Sequence, residues 1–340
     1  MFAMQDIQED MEGKLSISPL RLNFKPALPF GAIRNSVDPD DLQRFINACR
    51  SVRGKSLHKL LQGDSFELLD LFPPECVQLH FTSIPYGSIV DYTGSGLEFG
   101  SEKTYQKFLD RLELFLAASF RLCKQGGCVV LNARGLSSGS GCGPVGSKTF
   151  RGRSKIAAKR GVGRQSNFAE GFRRKDFIDL PGDIGRLGSK VGFTWRGDDI
   201  WEKTRCLPES VKDRHARVHE NLILLTKGPL YKFDRSRLRQ LGSKMDQSVL
   251  RLPTSTANYG HPATFSPILA EHYIYAATDE GDVVLDAFGG VGSTALAALK
   301  HGRHSITMEL SHDFFGKALD RLEYFASGFQ GEVKVGKPLT

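Results

Sequence analysis

The chain has 340 residues, 40% hydrophobic and 25% charged, with 46 basic against 38 acidic side chains and a net charge of +8. This is an ordinary globular composition with enough apolar sequence for a real core, in one large α/β domain with insertions or in two smaller ones. No uncharged apolar run approaches the ~20 residues of a membrane span. The cysteines are scattered without a CxxC pair and the histidines lack HExxH-type spacing, so neither a disulfide framework nor a structural metal is expected.

The opening stretch MFAMQDIQEDMEGK is acidic and lacks the charged-then-apolar pattern of a signal peptide, so the expected location is cytoplasmic, with no membrane partner. Residues 1–55 show no clear periodicity and receive no role. In SLHKLLQGDSFELLDLFPPECVQLHFT the pattern predicts a strand into Gly63-Asp64, a short helix from Ser65 and a buried strand over 77–82. Apolar residues at Phe108, Leu112, Phe115, Leu116, Ala118 and Leu122 then have helical spacing, with Gly126-Gly127 read as the helix stop and CVVLN as a strand. A helix between two strands is a βαβ unit, the building block of parallel sheets, and it closes a first segment, 56–134.

Residues 135–190 are rich in Gly, Ser and Arg with little periodicity, as expected of a long insertion. Between Arg134 and Lys175 there are eleven basic residues and one acid, Glu170. Charge concentrated this way is a footprint for a polyanion, the alternative being a solvated loop without a partner. The candidate phosphate contacts are Arg151, Arg153, Lys155, Lys159, Arg160, Arg164, Arg173 and Arg174. Regular structure returns over 191–227 with VGFTWRGDDIWEK and ENLILLTK. A second polar, basic stretch, 228–258, leads into a helix from Ser266, within a closing segment 259–330.

Two stretches carry chemistry. In HFTSIPYGSIVDY an apolar run stops on Ser83-Ile84-Pro85-Tyr86, which on its own reads equally as a strand end and a turn. In VVLDAFGGVGSTALAAL an apolar strand ends at Asp286, glycines make a tight turn, and a helix starts near Ser293-Thr294. That geometry brings a ligand to bare backbone at a helix N-terminus. Glu309 ends the next strand, where a carboxylate can grip two ribose hydroxyls. Alone, Gly290-Val291-Gly292-Ser293-Thr294-Ala295 also fits the GxGxxG/A dinucleotide fingerprint of an NAD-dependent oxidoreductase. Its position argues against that reading, because only about fifty residues follow Gly290, too few for the βαβ units a dinucleotide fold adds after its first.

Taken together, the ordered blocks resemble the β group of DNA amino-methyltransferases, S-adenosylmethionine-dependent enzymes that modify cytosine N4 or adenine N6. GDS at 63–65, TSIPYG at 82–87 and FRLCKQGGCVVL at 120–131 are similar to the family's first half. IWEKTRCLPESVKDRHARVHENLILLTK is similar to its middle block, and HPATFSPILAEHYI with LDAFGGVGSTALAALKHGRHSITMEL to its cofactor half, across most of 56–325. The resemblance implies a Rossmann-like α/β methyltransferase fold with a mostly parallel central sheet, the catalytic half first and the cofactor half last, and target recognition at 228–258 shared with the basic insertion. It implies cofactor contacts from Asp64, Phe265, Asp286, Phe288, Gly290, Gly292 and Glu309.

The implied catalytic residues are Ser83, Ile84, Pro85 and Tyr86. An acceptor at Ser83 Oγ and another at the Ile84 carbonyl would bind the two N–H groups of an exocyclic amine, Pro85 would fix the loop, and Tyr86 would stack on a flipped base. Ile84 replaces the first proline of the family's Ser-Pro-Pro-Tyr motif and is expected to loosen the loop and slow the reaction without abolishing it. Alone, Asp64 reads as a helix cap, Trp201 as core, and His219-Glu220 as structural in preference to an acid/base pair. Ser83 points to cytosine N4, with adenine N6 and an RNA amine as alternatives. The implied partner is double-stranded DNA, with a cognate restriction endonuclease acting independently on the same site; orphan and phage contexts stay open.

Overall fold

The computed structural model describes residues 37–85, 98–102, 104–138, 172–173, 175–206, 212–255, 264–326, 328 and 331–336. The first element is a helix, α1 (Pro39–Ser51), opened by Asp38, whose side chain accepts from the Asp40 N–H at 2.9 Å, with Pro39 in the first turn. Its Leu42, Phe45, Ile46 and Cys49, at helical spacing, enter the core.

Then come β1 (Ser56–Gln62), α2 (Ser65–Asp70), β2 (Val77–Ser83), α3 (Tyr105–Leu122) and β3 (Cys123–Ala133). A two-residue pair, β4 (Leu136–Ser137) with β5 (Phe177–Ile178), closes the neck of the basic insertion. Beyond it lie α4 (Leu180–Val191), β6 (Thr194–Lys203), β7 (His219–Thr226), α5 (Arg235–Leu241) and β8 (Val249–Leu252). The chain finishes with α6 (Pro267–Ala277), β9 (Val283–Asp286), α7 (Ser293–Lys300), β10 (His304–Glu309), α8 (His312–Ala326) and β11 (Gly331–Gly336).

Nine strands form one sheet in the order β11-β1-β10-β9-β2-β3-β7-β6-β8. From β11 to β3 every pairing is parallel; β7 is antiparallel to both β3 and β6, and β8 returns parallel to β6. Side chains of β2 divide between two cores, with a switch of face at the register irregularity between Val77 and Leu79. Val77 belongs to the layer with α3, Leu79 and Phe81 to the layer with α6, and His80 meets Phe115 of α3 edge-on at 5.3 Å. β9, carrying Asp286, pairs with β2, carrying Ser83, so the two halves meet in mid-sheet.

Three expectations change. Gly126-Gly127 does not stop a helix: α3 ends at Leu122 and passes directly into β3. The register of β2 against β3 jumps from Val77↔Cys123 to Leu79↔Cys128, and the glycines lie in that irregularity. Gly126 has φ 74°, and a Cβ on Gly127 would stand 2.8 Å from the Gln78 carbonyl.

The insertion drawn to residue 190 yields to α4 at Leu180. Gly185 and Gly188 lie under Trp195 and Leu225, where a Cβ would meet ring or methyl carbons at 2.3 and 2.7 Å. These glycines let α4 approach the sheet and also hide its helical character in the sequence. Residues 1–55 and 228–258, left without elements, contain α1, and α5 with β8. Among the described residues no helix is long and apolar enough to cross a membrane.

Candidate active site

A cleft of roughly 880 Å³ opens along the carboxyl ends of β1, β2, β9 and β10, where a doubly wound sheet binds ligands. On its catalytic side stand Ser83, Ile84 and Pro85; on the cofactor side, Asp64, Phe265, Phe288, Gly290 and Glu309. The structure therefore brings eight of the expected residues to one cavity.

Asp286 and Gly292 stand behind the wall. The Asp286 carboxyl, 1% exposed, accepts from Thr82 Oγ1 and Thr294 Oγ1, both at 2.6 Å, and from the Phe288 N–H at 3.2 Å. Burial raises it to about 6 although the hydroxyl donors favour the charged form. It bolts the strand that delivers Ser83 to the glycine turn. Gly292, at φ 81°, opens α7. Tyr86, Arg151, Arg153, Lys155, Lys159, Arg160, Arg164 and Arg174 lie outside the described residues. Arg173 is exposed at the insertion's neck, where its carbonyl accepts from Ser138 Oγ.

Asp64 caps α2 by accepting from the Phe66 N–H at 2.9 Å and also lines the cleft, so both readings of it hold geometrically. Ser65 Oγ donates to the Ala287 carbonyl, tying that cap to the glycine turn. Glu309 accepts from the Gly290 N–H at 2.8 Å and the Ser311 N–H at 2.7 Å. Desolvation pushes its carboxyl up to about 7, against the pull of those amides. Gly290 has φ 53°, and a Cβ on Gly289 would lie 2.2 Å from the Thr307 methyl, so the turn presents backbone where side chains have no room.

Ser83, at the end of β2, pairs with Asn132 of β3, whose Nδ2 donates to Ser83 Oγ at 3.3 Å and to Glu220 Oε2 at 2.8 Å. Lys203 pairs with the other Glu220 oxygen. Glu220 is thus buried between Lys203 and Asn132, apart from exposed His219, and Trp201 is core, its Nε1 donating to the Leu252 carbonyl at 3.0 Å. The Ile84 N–H donates to the Asn132 carbonyl at 3.3 Å and its side chain is 1% exposed; the position expected to be loose is held by one further ladder hydrogen bond and by burial.

Sequence reasoning missed Glu98 and Phe99, which line the cleft; Phe99 stacks on Phe108 at 4.9 Å and on Phe288 at 5.6 Å. They follow a Gly- and Ser-rich stretch with no motif to mark them. Asn132 was legible only as part of a strand.

The acids on the cleft wall are Asp64, Glu98 and Glu309, and among the described lining residues there is no Lys, Arg or His. Acid, aromatic rings and bare backbone fit a nucleoside carrying positive charge, and they repel a pyrophosphate, which the dinucleotide reading requires.

Comparison with known proteins agrees. A model of the N6/N4 DNA methylases, described as DNA methylase, matches residues 77–319. The chain belongs to this DNA methylase family. The methylase is 30% identical over 295 residues to the Type II methyltransferase M.XycI of Xanthomonas campestris pv. cyanopsidis, covering 85% of this chain and 95% of that one. It is 30% identical over 269 residues to M.Cfr9I of Citrobacter freundii, covering 78% and 87%.

Among solved structures, a DNA modification methylase of Thermus thermophilus, TTHA0409, complexed with S-adenosyl-L-methionine, superposes with a TM-score of 0.57 at 25% identity, covering 82% of this chain and 99% of that one. The PvuII cytosine-N4-specific DNA methyltransferase shares the fold, with a TM-score of 0.56 at 20% identity and coverage of 84% and 99%. The methylase therefore has the Rossmann-like, β-group methyltransferase fold, and S-adenosyl-L-methionine is the cofactor of its family.

Proposed function

We propose that this methylase transfers a methyl group to the exocyclic N4 of a cytosine flipped out of duplex DNA. The observation that supports this most is the opening of Ser83 and Ile84, at the end of β2, onto the same cleft as the acidic, glycine-lined cradle. S-adenosyl-L-methionine supplies an electrophilic methyl group on a sulfonium. Glu309 would accept the ribose hydroxyls, Asp64 and Phe265 would flank the adenine, and the turn from Ala287 to Gly292 would hold the amino-acid end.

The amine of cytosine is a poor nucleophile because its lone pair is delocalised into the ring. Ser83 Oγ and the Ile84 carbonyl, accepting its two N–H groups, would turn the lone pair toward the methyl and favour a pyramidal nitrogen. Pro85 would fix the loop and Tyr86 would stack on the base. Transfer in line then depends on positioning and needs no covalent intermediate.

Adenine N6 is the second reading, since the same acceptors serve either amine. Ser83 favours cytosine because Asp or Asn is the more common first motif residue in relatives acting on adenine. A cognate restriction endonuclease would read the same DNA site independently, consistent with the Type II relatives.

Labelled cofactor, duplex DNA and RNA, followed by digestion to nucleosides, tests all of this. N4-methyldeoxycytidine is expected; N6-methyladenine or label in RNA alone would overturn the reading. Ser83→Ala and Tyr86→Ala are expected to lose product while binding cofactor normally.

A further inference from the structure

A line of polar side chains crosses four adjacent strands at the carboxyl edge of the sheet. It runs from Lys203 at the end of β6 to Glu220 at the start of β7, then to Asn132 near the end of β3 and Ser83 at the end of β2. Glu220 and Asn132 are 6% and 2% exposed, so these contacts are shielded from competing water. We propose that Asn132 is a positioning residue for methyl transfer, itself oriented by the Lys203–Glu220 pair. This rests on the reading of Ser83 as the amine acceptor and extends it.

An amide side chain has a donor end and an acceptor end, and the carboxylate of Glu220 only accepts. Glu220 therefore fixes which way Asn132 faces: the NH₂ group lies toward both Glu220 and Ser83. Ser83 Oγ has one hydrogen and two lone pairs. With Asn132 donating to one lone pair, the hydroxyl is biased to offer the other to an N–H in the cleft.

The opposite orientation, with Ser83 donating into the cleft, would bond to the nitrogen lone pair that has to attack. Asn132 thus selects the productive role of a hydroxyl that by itself can do either. Because it acts on orientation, its effect belongs to the chemical step and not to binding of cofactor or DNA.

The test uses the full-length enzyme, duplex DNA and tritiated S-adenosyl-L-methionine, with Asn132→Ala, Glu220→Gln and the double variant. Each single change is expected to lower kcat by roughly threefold to tenfold, as for loss of one neutral hydrogen bond, while KM for DNA and calorimetric cofactor affinity stay at wild-type values. Glu220 acts through Asn132, so the double variant is expected to be no slower than Asn132→Ala alone.

Asn132→Ala leaves the Lys203–Glu220 pair intact, so it remains informative if Glu220→Gln folds poorly. Full activity in Asn132→Ala, effects that multiply in the double variant, or a kcat loss that tracks cofactor affinity would overturn the inference. A wild-type enzyme that labels no DNA would instead remove the underlying function, and the two failures are distinct.

Discussion

A proline at position 84 would have no N–H to give the Asn132 carbonyl, whereas Ile84 donates to it and fills a buried site. Ile84→Pro, which restores the sequence common in the family, is therefore expected to lower stability by about 0.5–1.5 kcal/mol for the lost bond, with a further loss for the emptied volume. Urea unfolding would measure this, and an unchanged or higher midpoint would show that the hydrogen bond contributes nothing.

Glu309 gives a second residue-scale expectation. Burial holds its carboxyl near 7 where 4.5 is ordinary, so near neutrality part of the free enzyme carries a proton there that ribose hydroxyls, as donors, would displace. Cofactor affinity should weaken as pH falls below about 7, and binding near neutrality should release a proton, visible by calorimetry in two buffers of different ionisation enthalpy. Glu309→Ala should weaken binding by ~1.5–3 kcal/mol for each charge-assisted bond removed and abolish that proton release.

Single side chains were legible in the sequence where backbone geometry singled them out. Ser83 and Glu309 end strands and the glycines of 289–292 make a turn, so all of these could be placed from pattern alone. Glu98 and Asn132 owe their places to tertiary packing, which no local spacing encodes.

At the scale of elements, Asp286 joins β2, β9 and α7 through two threonine hydroxyls. Its folded carboxyl titrates near 6 against an ordinary 3.8. The favourable contribution is therefore complete below pH ~4 and is lost as pH rises through about 6, beyond which the site holds a buried charge that depends on its donors. Thr294→Val should destabilise the protein by about 1–3 kcal/mol at pH 8 and by less at pH 5, where the carboxyl is largely protonated. Equal losses at the two pH values in urea unfolding would argue that the hydroxyl matters for packing alone.

The strands and α3 follow the sequence pattern closely because burial on one or both faces imposes it. α1 had the signal as well, Asp38-Pro39 before Leu42, Phe45, Ile46 and Cys49, yet it stands after a long stretch without periodicity and was not separated from it. α4 gave a misleading signal: Gly185 and Gly188 read as loop residues, although the space beneath a Cβ-free helix face is what permits its approach to β6 and β7.

Across the whole molecule the charges are divided. The cleft wall has acids and, among the described residues, no bases, while the sequence between Arg134 and Lys175 is strongly basic. The cleft wall suits a cationic cofactor, and the composition of the basic stretch suits a polyanion. Neutralising several basic residues of the insertion should weaken DNA binding and flatten its salt dependence by ~0.9 in log–log slope for each phosphate that is no longer neutralised. Cofactor affinity should not change, and an unaltered salt slope would make the segment a bystander.

The β4–β5 pair carries this division further. Ser137 faces Phe177 across the neck, so the chain leaves the catalytic edge and returns to it within the width of one strand pair, whatever path residues 139–171 follow. The two ends of the segment are thereby fixed beside each other, so the strand that carries Asn132 and the helix α4 that follows the segment are held in place by the neck itself.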